Sequence, residues 1–463
     1  MGPEAALWTA RAWVDGSWQD GVLLMIDRGG HWAEICTGIA RCPAGAQALS
    51  GPALPGLVDA HSHAFQRAFA GLAERRDEAR DDFWSWRERM HGVAARITPA
   101  LLAAIAAQLF VELLRGGYTQ VVEFHYLQHA ADGSPYDDPL ALAWALADAA
   151  NAAGIGLTIV PAVYERAGFD DVPLRAPQQR FRLDADAAWN ACRRLRAAAR
   201  PLLHVGLALH SLRAVTPPSI ARLRALAAGD NGPIHIHVAE QTAEVEASLA
   251  ASGARPIEWL AREGLLDARW QLVHATHATP AEIDAVAAQG AGIVLCPGTE
   301  ANLGDGMPDL PHWLAAGVPI AIGSDSQVSR GWREELRLAE YAQRLLRRTR
   351  NVAARPGVQP ATAARLFECA LAAGSAAAGQ PLGGLVAGQR ADLLVVDTRD
   401  ASVRAIPPTH LLDALVFSSP GRPWRDVMVA GRWVVRDHRH RGAGAIADRF
   451  GAAMDKLWQH QAP

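Results

Sequence analysis

The sequence predicts an α/β fold, a (β/α)8 TIM-like barrel with a small β-sandwich domain built from both chain ends. Three observations predict it. Short apolar runs alternate with helix-like stretches eight times between residues 54 and 323. Histidines and carboxylates gather at the downstream ends of those runs. Strand-like pieces then return near the end of the chain, resembling those that precede the barrel. Alternation of this kind implies a parallel sheet, and eight units favour closure into a barrel. No G-x-G-x-x-G turn follows a strand, which counts against an open dinucleotide-binding sheet.

Residues 1–53 contain strand-like pieces such as Ala12-Trp13-Val14 and Gly21–Ile26, broken by Asp-Gly and Gly-Gly turns, and read as a small antiparallel sheet. The first barrel strand is expected at 54–61. The connection 64–97, rich in Arg, Glu and Trp, reads as too polar for core. Thr98-Pro99 looks like an N-cap followed by proline at the first helical position, with Gly116-Gly117 as the stop. Strands are expected next at 118–124, 155–163, 203–209, 233–238, 270–274, 291–296 and 318–323. Helices are expected at about 138–152, 185–199, 217–228, 243–262, 280–288 and 310–316, and after the barrel at 332–348 and 360–372. Residues 1–53 and 383–441 are expected to share the small domain, 54–382 to form the barrel, and 442–463 to end the chain as a helix.

Half of the 463 residues are hydrophobic, enough for a large core, and a net charge of −3 argues against a nucleic-acid footprint. The five cysteines are odd in number and scattered, which fits buried thiols in a reducing compartment. No basic region followed by an apolar stretch opens the chain, and no run approaches the roughly 20 apolar residues of a membrane helix. A cytoplasmic protein without membrane or nucleic-acid partners is expected.

Chemistry in such a barrel sits at the C-terminal ends of the strands. His61 and His63 follow the first; Glu123, His125 and Tyr126 the second; His210 and Arg213 the fourth; His237 and Glu240 the fifth; His274 the sixth; and Asp325 the eighth. Residues i and i+2 of a strand share a face, so His61 and His63 project together and can share a metal ion. In His235-Ile236-His237 the second histidine lies nearer the mouth and is taken as the ligand, with His235 packed deeper. Asp325 completes a set of three histidines and a carboxylate with one position open for water. His274 is either another ligand or a hydrogen-bond donor to substrate, and His277 is placed outside the site. Glu240, three residues past a ligand, is placed to approach metal-activated water without binding the metal. The sole lysine, Lys456, is seven residues from the C-terminus and cannot bridge two ions inside the barrel, so a single ion is expected. Zinc is the expected ion, with ferrous iron the alternative.

This set of His-x-His, His-x-x-Glu, His and Asp on successive strands resembles the amidohydrolase superfamily, in its mononuclear deaminase branch, over essentially the whole chain. The stretches His61–Ala68, Phe83–Glu88, Glu123–Tyr126 and His210–Arg213 are similar to those of the N-formimino-L-glutamate deiminase family. That resemblance implies hydrolytic deamination of a formimino group, giving N-formyl-L-glutamate and ammonia, by metal-activated water. It implies Glu240 as proton carrier, Asp325 as ligand and proton acceptor, and His274 as stabiliser of the tetrahedral intermediate. It also implies a substrate with two carboxylates, held by Arg87, Arg213 and His210, with Gln66 and Tyr126 as hydrogen-bonding neighbours. A homodimer is part of the same expectation. The rival readings are a deaminase of a heterocycle such as guanine, whose pocket should favour stacking aromatics over paired arginines, and a non-catalytic barrel, which should have lost a ligand or Glu240.

Overall fold

A computed structural model of the protein describes residues 4–76, 81–418 and 420–459. Eight parallel strands form the barrel: Leu57–Ser62, Tyr118–His125, Gly156–Val163, the pair Leu203–Val205 and Leu207–Leu209 interrupted at Gly206, Ile234–Val238, Trp270–His274, Gly292–Leu295 and Ile320–Ile322. Nearly every strand residue is buried, as a sheet covered by helices outside and side chains inside requires. The eighth strand closes on the first. Asp325 N–H donates to the His61 carbonyl at 2.9 Å, and His63 N–H donates to the Asp325 carbonyl at 3.2 Å. Gly323 permits this approach, because a Cβ there would lie 2.7 Å from the His61 Cβ. Asp59 reinforces the seam by accepting from the Ser324 amide at 2.8 Å and the Ser324 hydroxyl at 2.6 Å.

The expected caps form. The Thr98 hydroxyl accepts from the Leu101 amide, Pro99 opens the helix Pro99–Gly116, and Gly117 ends it at φ +94°. This helix is long and apolar enough by composition to cross a membrane, which the sequence reading did not anticipate, but it packs against Ala141–Ala153 and Ala443–Trp458 on the barrel. The helix Thr362–Ala378 runs to the N-terminal ends of the strands. There the Ala378 carbonyl accepts from the Thr158 hydroxyl and the Ala377 carbonyl from His235 Nε2, each at 2.9 Å. His235 is therefore the deeper histidine of its pair.

Both chain ends meet in one small sheet. Its strands, in hydrogen-bonded order, are Arg439–His440, Arg432–Arg436, Trp424–Val429, Leu393–Val396, Ala53–Leu54, Ala5–Val14, Ser17–Ile26 and Trp32–Cys36, with Gln47–Ala48 added beside Ala5–Val14. The hairpin turn Asp15-Gly16 has positive φ at both residues, as a tight two-residue turn demands. Arg390 ties this sheet to the barrel: its guanidinium is paired with Asp392 at 2.6 Å and donates to Gln120 Oε1 at 2.7 Å and the Thr119 carbonyl at 3.0 Å.

Several expectations need correction. The connection 64–97 contains a 3-10 turn at Ala64–Ala68 and a helix at Phe83–Ala94, and buries Phe65, Phe69, Met90, Val93 and Ile97. Its polar composition hid the apolar side, since charged residues such as Glu74, Arg75, Arg76 and Glu88 are exposed between the buried ones. The stretch 243–262 is two helices, Thr242–Ser252 and Pro256–Arg262, since Gly253 takes φ +70° and Pro256 starts anew. A helix at Pro297–Leu303 follows the seventh strand where none was expected. Cys192 and Cys296 are buried thiols, but Cys36, Cys42 and Cys369 are only half-buried. Lys456 lies on the helix Ala443–Trp458, outside the barrel; positions 460–463 of the expected tail helix fall outside the described residues.

Candidate active site

His61, His63, His237 and Asp325 converge at the C-terminal mouth of the barrel. His237 Nε2 lies 3.1 Å from His61 Nε2, and Asp325 Oδ1 lies 3.5 Å from His61 Nε2 and 3.4 Å from His63 Nε2. Ligands about 2.0–2.1 Å from a tetrahedral ion stand about 3.4 Å from one another, and these three spacings lie close to that value. These donors are of the types that hold a divalent metal ion. His63 Nδ1 faces the Phe124 carbonyl at 3.1 Å and His237 Nδ1 the His210 carbonyl at 2.9 Å. A carbonyl can only accept, so in each ring Nδ1 carries the proton and Nε2 offers its lone pair inward. Burial lowers the imidazoles, His61 to about 3, and keeps them neutral. Burial alone would raise the Asp325 carboxyl, but the hydrogen bond from His61 and the neighbouring His63 and His274 hold it well below the usual carboxylate range.

Glu240 and His274 stand on the open side of this set. His274 Nε2 is 3.6 Å from Glu240 Oε1 and 3.8 Å from Asp325 Oδ2. Burial raises the Glu240 carboxyl to about 7, within the range where a group both takes and returns a proton. Burial would lower His274, but the carboxylates of Glu240, Glu300 and Asp325 outweigh it and hold the imidazole up at about 10. Glu244, on the next helix, accepts from the Ala239 amide at 3.1 Å and the Glu240 amide at 3.0 Å. It thereby fixes a turn in which Ala239 takes φ +51° and which presents Glu240 to the pocket.

The far end of the pocket is basic. Asp82 caps the helix Phe83–Ala94, accepting from the Trp84 and Ser85 amides, and the helix carries Trp84, Arg87 and His91 on its pocket side. The Arg87 guanidinium lies over the Trp84 ring at 4.6 Å and that of Arg213 at 5.5 Å. Arg87 Nε and Nη1 are buried and have no hydrogen-bond partner among the described residues. Burial and the neighbouring Arg213 push Arg87 down to about 10. His210 packs on the Tyr164 ring at 4.5 Å, and Gln66 Nε2 donates to the Tyr126 hydroxyl at 3.1 Å. Gln66 Oε1 is likewise buried without a partner among the described residues.

Every residue singled out from the sequence as ligand, proton carrier or substrate contact, His61 apart, therefore lines one pocket. Gln66, Arg87, Tyr126, His210, Arg213, Glu240, His274 and Asp325 line it together with His63 and His237, and His61 lies beneath them. Of the other strand-end residues, Glu123 supports from behind, accepting from the Ser62 hydroxyl at 2.9 Å and the Ala64 amide at 2.8 Å, and His125 is buried away from the pocket. His277 lies beyond the ligand set with Nε2 2.9 Å from the Asp305 carbonyl. Sequence reasoning missed His91, Tyr164, Glu244 and Glu300. His91 was findable, being one helical turn past Arg87, and Tyr164 directly follows the third strand. Glu300 needed the unexpected helix after the seventh strand.

Comparison with known proteins is consistent with this geometry. The amidohydrolase family model matches residues 53–434. The chain is 47% identical over 98% of its length to formimidoylglutamate deiminase of Pseudomonas aeruginosa, covering 99% of that protein. It is 30% identical to 5-methylthioadenosine/S-adenosylhomocysteine deaminase of Natronomonas pharaonis, over 87% of this chain and 86% of that one. Among solved structures, an amidohydrolase from Brucella melitensis superposes with a TM-score of 0.91 at 39% identity, covering 98% of this chain and all of that one.

Proposed function

The chain belongs to the amidohydrolase family, and on that premise we propose that it hydrolyses N-formimidoyl-L-glutamate to N-formyl-L-glutamate and ammonia. The observation that carries this reading is the Arg87 guanidinium, its Nε and Nη1 buried, stacked on Trp84 beside Arg213 in the same pocket as Glu240 and His274. Buried guanidinium N–H groups without partners call for planar acceptors, and carboxylates match them. At the other end the carboxylates of Glu240 and Asp325 suit a cationic amidine. A pocket basic at one end and acidic at the other fits a linear amidine that ends in two carboxylates. A neutral heterocycle offers no negative charge to pair with the two guanidinium groups. The 47% identical relative carries the same activity in its name.

His61, His63, His237 and Asp325 would hold one divalent ion, zinc or ferrous iron, which when bound supplies Lewis acidity that lowers the pKa of water toward neutrality. Arg87, Arg213 and His210 hold the two carboxylates and set the depth of the formimidoyl carbon, with Gln66 and Tyr126 along its flank. Glu240 takes a proton from the attacking water as the C–O bond forms. His274 Nε2 donates to the developing tetrahedral centre. Glu240 returns its proton to the terminal nitrogen, the C–N bond breaks, and the nitrogen leaves as ammonia. Asp325 takes the remaining hydroxyl proton, leaving the formyl carbonyl.

Assay of the purified, metal-loaded enzyme against formimidoylglutamate, guanine and 5-methylthioadenosine tests the reading. Ammonia is expected from the first alone. Release from a heterocycle and not from formimidoylglutamate would overturn the substrate assignment and leave the deaminase chemistry in place.

A further inference from the structure

We propose that Glu300 is a positioning residue that acts through His274, accepting from its Nδ1 and fixing the direction of its Nε2. The inference rests on the reaction proposed above. Glu300 lies on the helix Pro297–Leu303 and is 3% exposed. Its Oε1 accepts from the Cys296 amide at 2.9 Å and faces His274 Nδ1 at 3.4 Å. Among the described residues its ion-pair partner is His274. A carboxylate so deeply buried is costly unless donors meet it, and one ring N–H and one amide N–H are the donors here. A carboxylate oxygen can only accept, so the proton between the pair sits on Nδ1.

The consequence appears on the other side of the ring. With Nδ1 tied to Glu300 behind, Nε2 is aimed between Glu240 and Asp325, at 3.6 Å and 3.8 Å. The backbone supports the same orientation: His274 takes φ +70° and Ala275 φ +50°, conformations that non-glycine residues keep only when their surroundings over-determine them. Carboxylate, imidazole and reacting centre thus stand in line, an arrangement that fixes the direction of a ring whose Nε2 donates to substrate.

The alternative role is structural, because Glu300 also caps its own helix through the Cys296 amide. Glutamine keeps an acceptor for that amide and loses the charge that His274 needs. Glu300→Gln, compared with wild type at equal zinc content, is expected to lower kcat by about 10- to 100-fold, with KM changed less than about threefold and Tm retained. In a His274→Asn background the same substitution should add less than about twofold. Independent of any substrate, the zinc-loaded, 15N-histidine-labelled protein should show a downfield ring N–H resonance that is lost in His274→Asn and moves upfield in Glu300→Gln. An unmoved resonance, a kcat within threefold of wild type, or effects that multiply in the double variant would each overturn the inference. Failure of the wild type to release ammonia from formimidoylglutamate would instead strike the proposed function, and the resonance would still decide for or against Glu300.

Discussion

The Nε2 atoms of His61 and His237 lie 3.1 Å apart, although 176 residues separate them in the chain. Both rings are buried, which disfavours their charged forms, and the His237 proton is committed to the His210 carbonyl on the opposite nitrogen. Two nitrogens that close, one of them a bare lone pair, are best satisfied by a shared cation. We expect one divalent ion per chain by metal analysis, and loss of stoichiometric binding in His237→Ala. Chelation should abolish activity and lower thermal stability by about 2–4 kcal/mol, both restored by zinc. Full activity in metal-free protein would refute the ligand assignment.

Glu240 reaches the site from outside the ligand set, with its carboxyl raised by burial toward neutrality. Glu240→Gln keeps size and hydrogen-bonding shape and removes the proton carrier. Metal content should stay at the wild-type value while kcat falls on the order of 100- to 10,000-fold. Turnover near the wild-type rate would remove Glu240 from the proton path.

The arginines should separate binding from chemistry. Arg87→Met and Arg213→Met remove charge-assisted contacts worth about 1.5–3 kcal/mol each, so each should cost roughly 10- to 150-fold in kcat/KM. The loss should appear mainly in KM for the dicarboxylate substrate and be smaller for an analogue with one carboxylate. Equal losses for both compounds would place the arginines outside the carboxylate site.

Arg390 joins the two parts of the molecule from a buried position, held by Asp392, Gln120 and the Thr119 carbonyl. Arg390→Met leaves the Asp392 carboxylate buried and unpaired, at a cost of about 3–5 kcal/mol. Denaturant unfolding should show that loss, and surviving folded enzyme should retain its KM. An unchanged midpoint would contradict the seam described here.

Much of the barrel could be read directly because its strands are short apolar runs with histidines and carboxylates at their ends. That pattern arises wherever a buried parallel sheet presents its chemistry at one rim. The segment 83–94 was harder. Phe83, Trp84, Trp86 and Arg87 do not spell a regular apolar stripe, because the face they present borders a polar pocket rather than a hydrophobic core. Glu244 and Glu300 were invisible for another reason. An acidic residue near a helix start usually reads as a solvated charge favoured by the helix dipole, and only burial changes that meaning.

By itself the sequence pointed to the barrel and to the donor types of the metal set, since each depends on residue identity and on periodicity along one strand; the roles expected of Glu240 and the arginines came from the family resemblance. Tertiary structure alone decided the convergence of His61, His63, His237 and Asp325, the stacking of Arg87 and Arg213 on Trp84, and the approach of Glu300 to His274. These are relations between elements distant in the chain. Their distances are set by closure of the first strand on the eighth and by the packing of connecting helices over the mouth, which local periodicity does not encode.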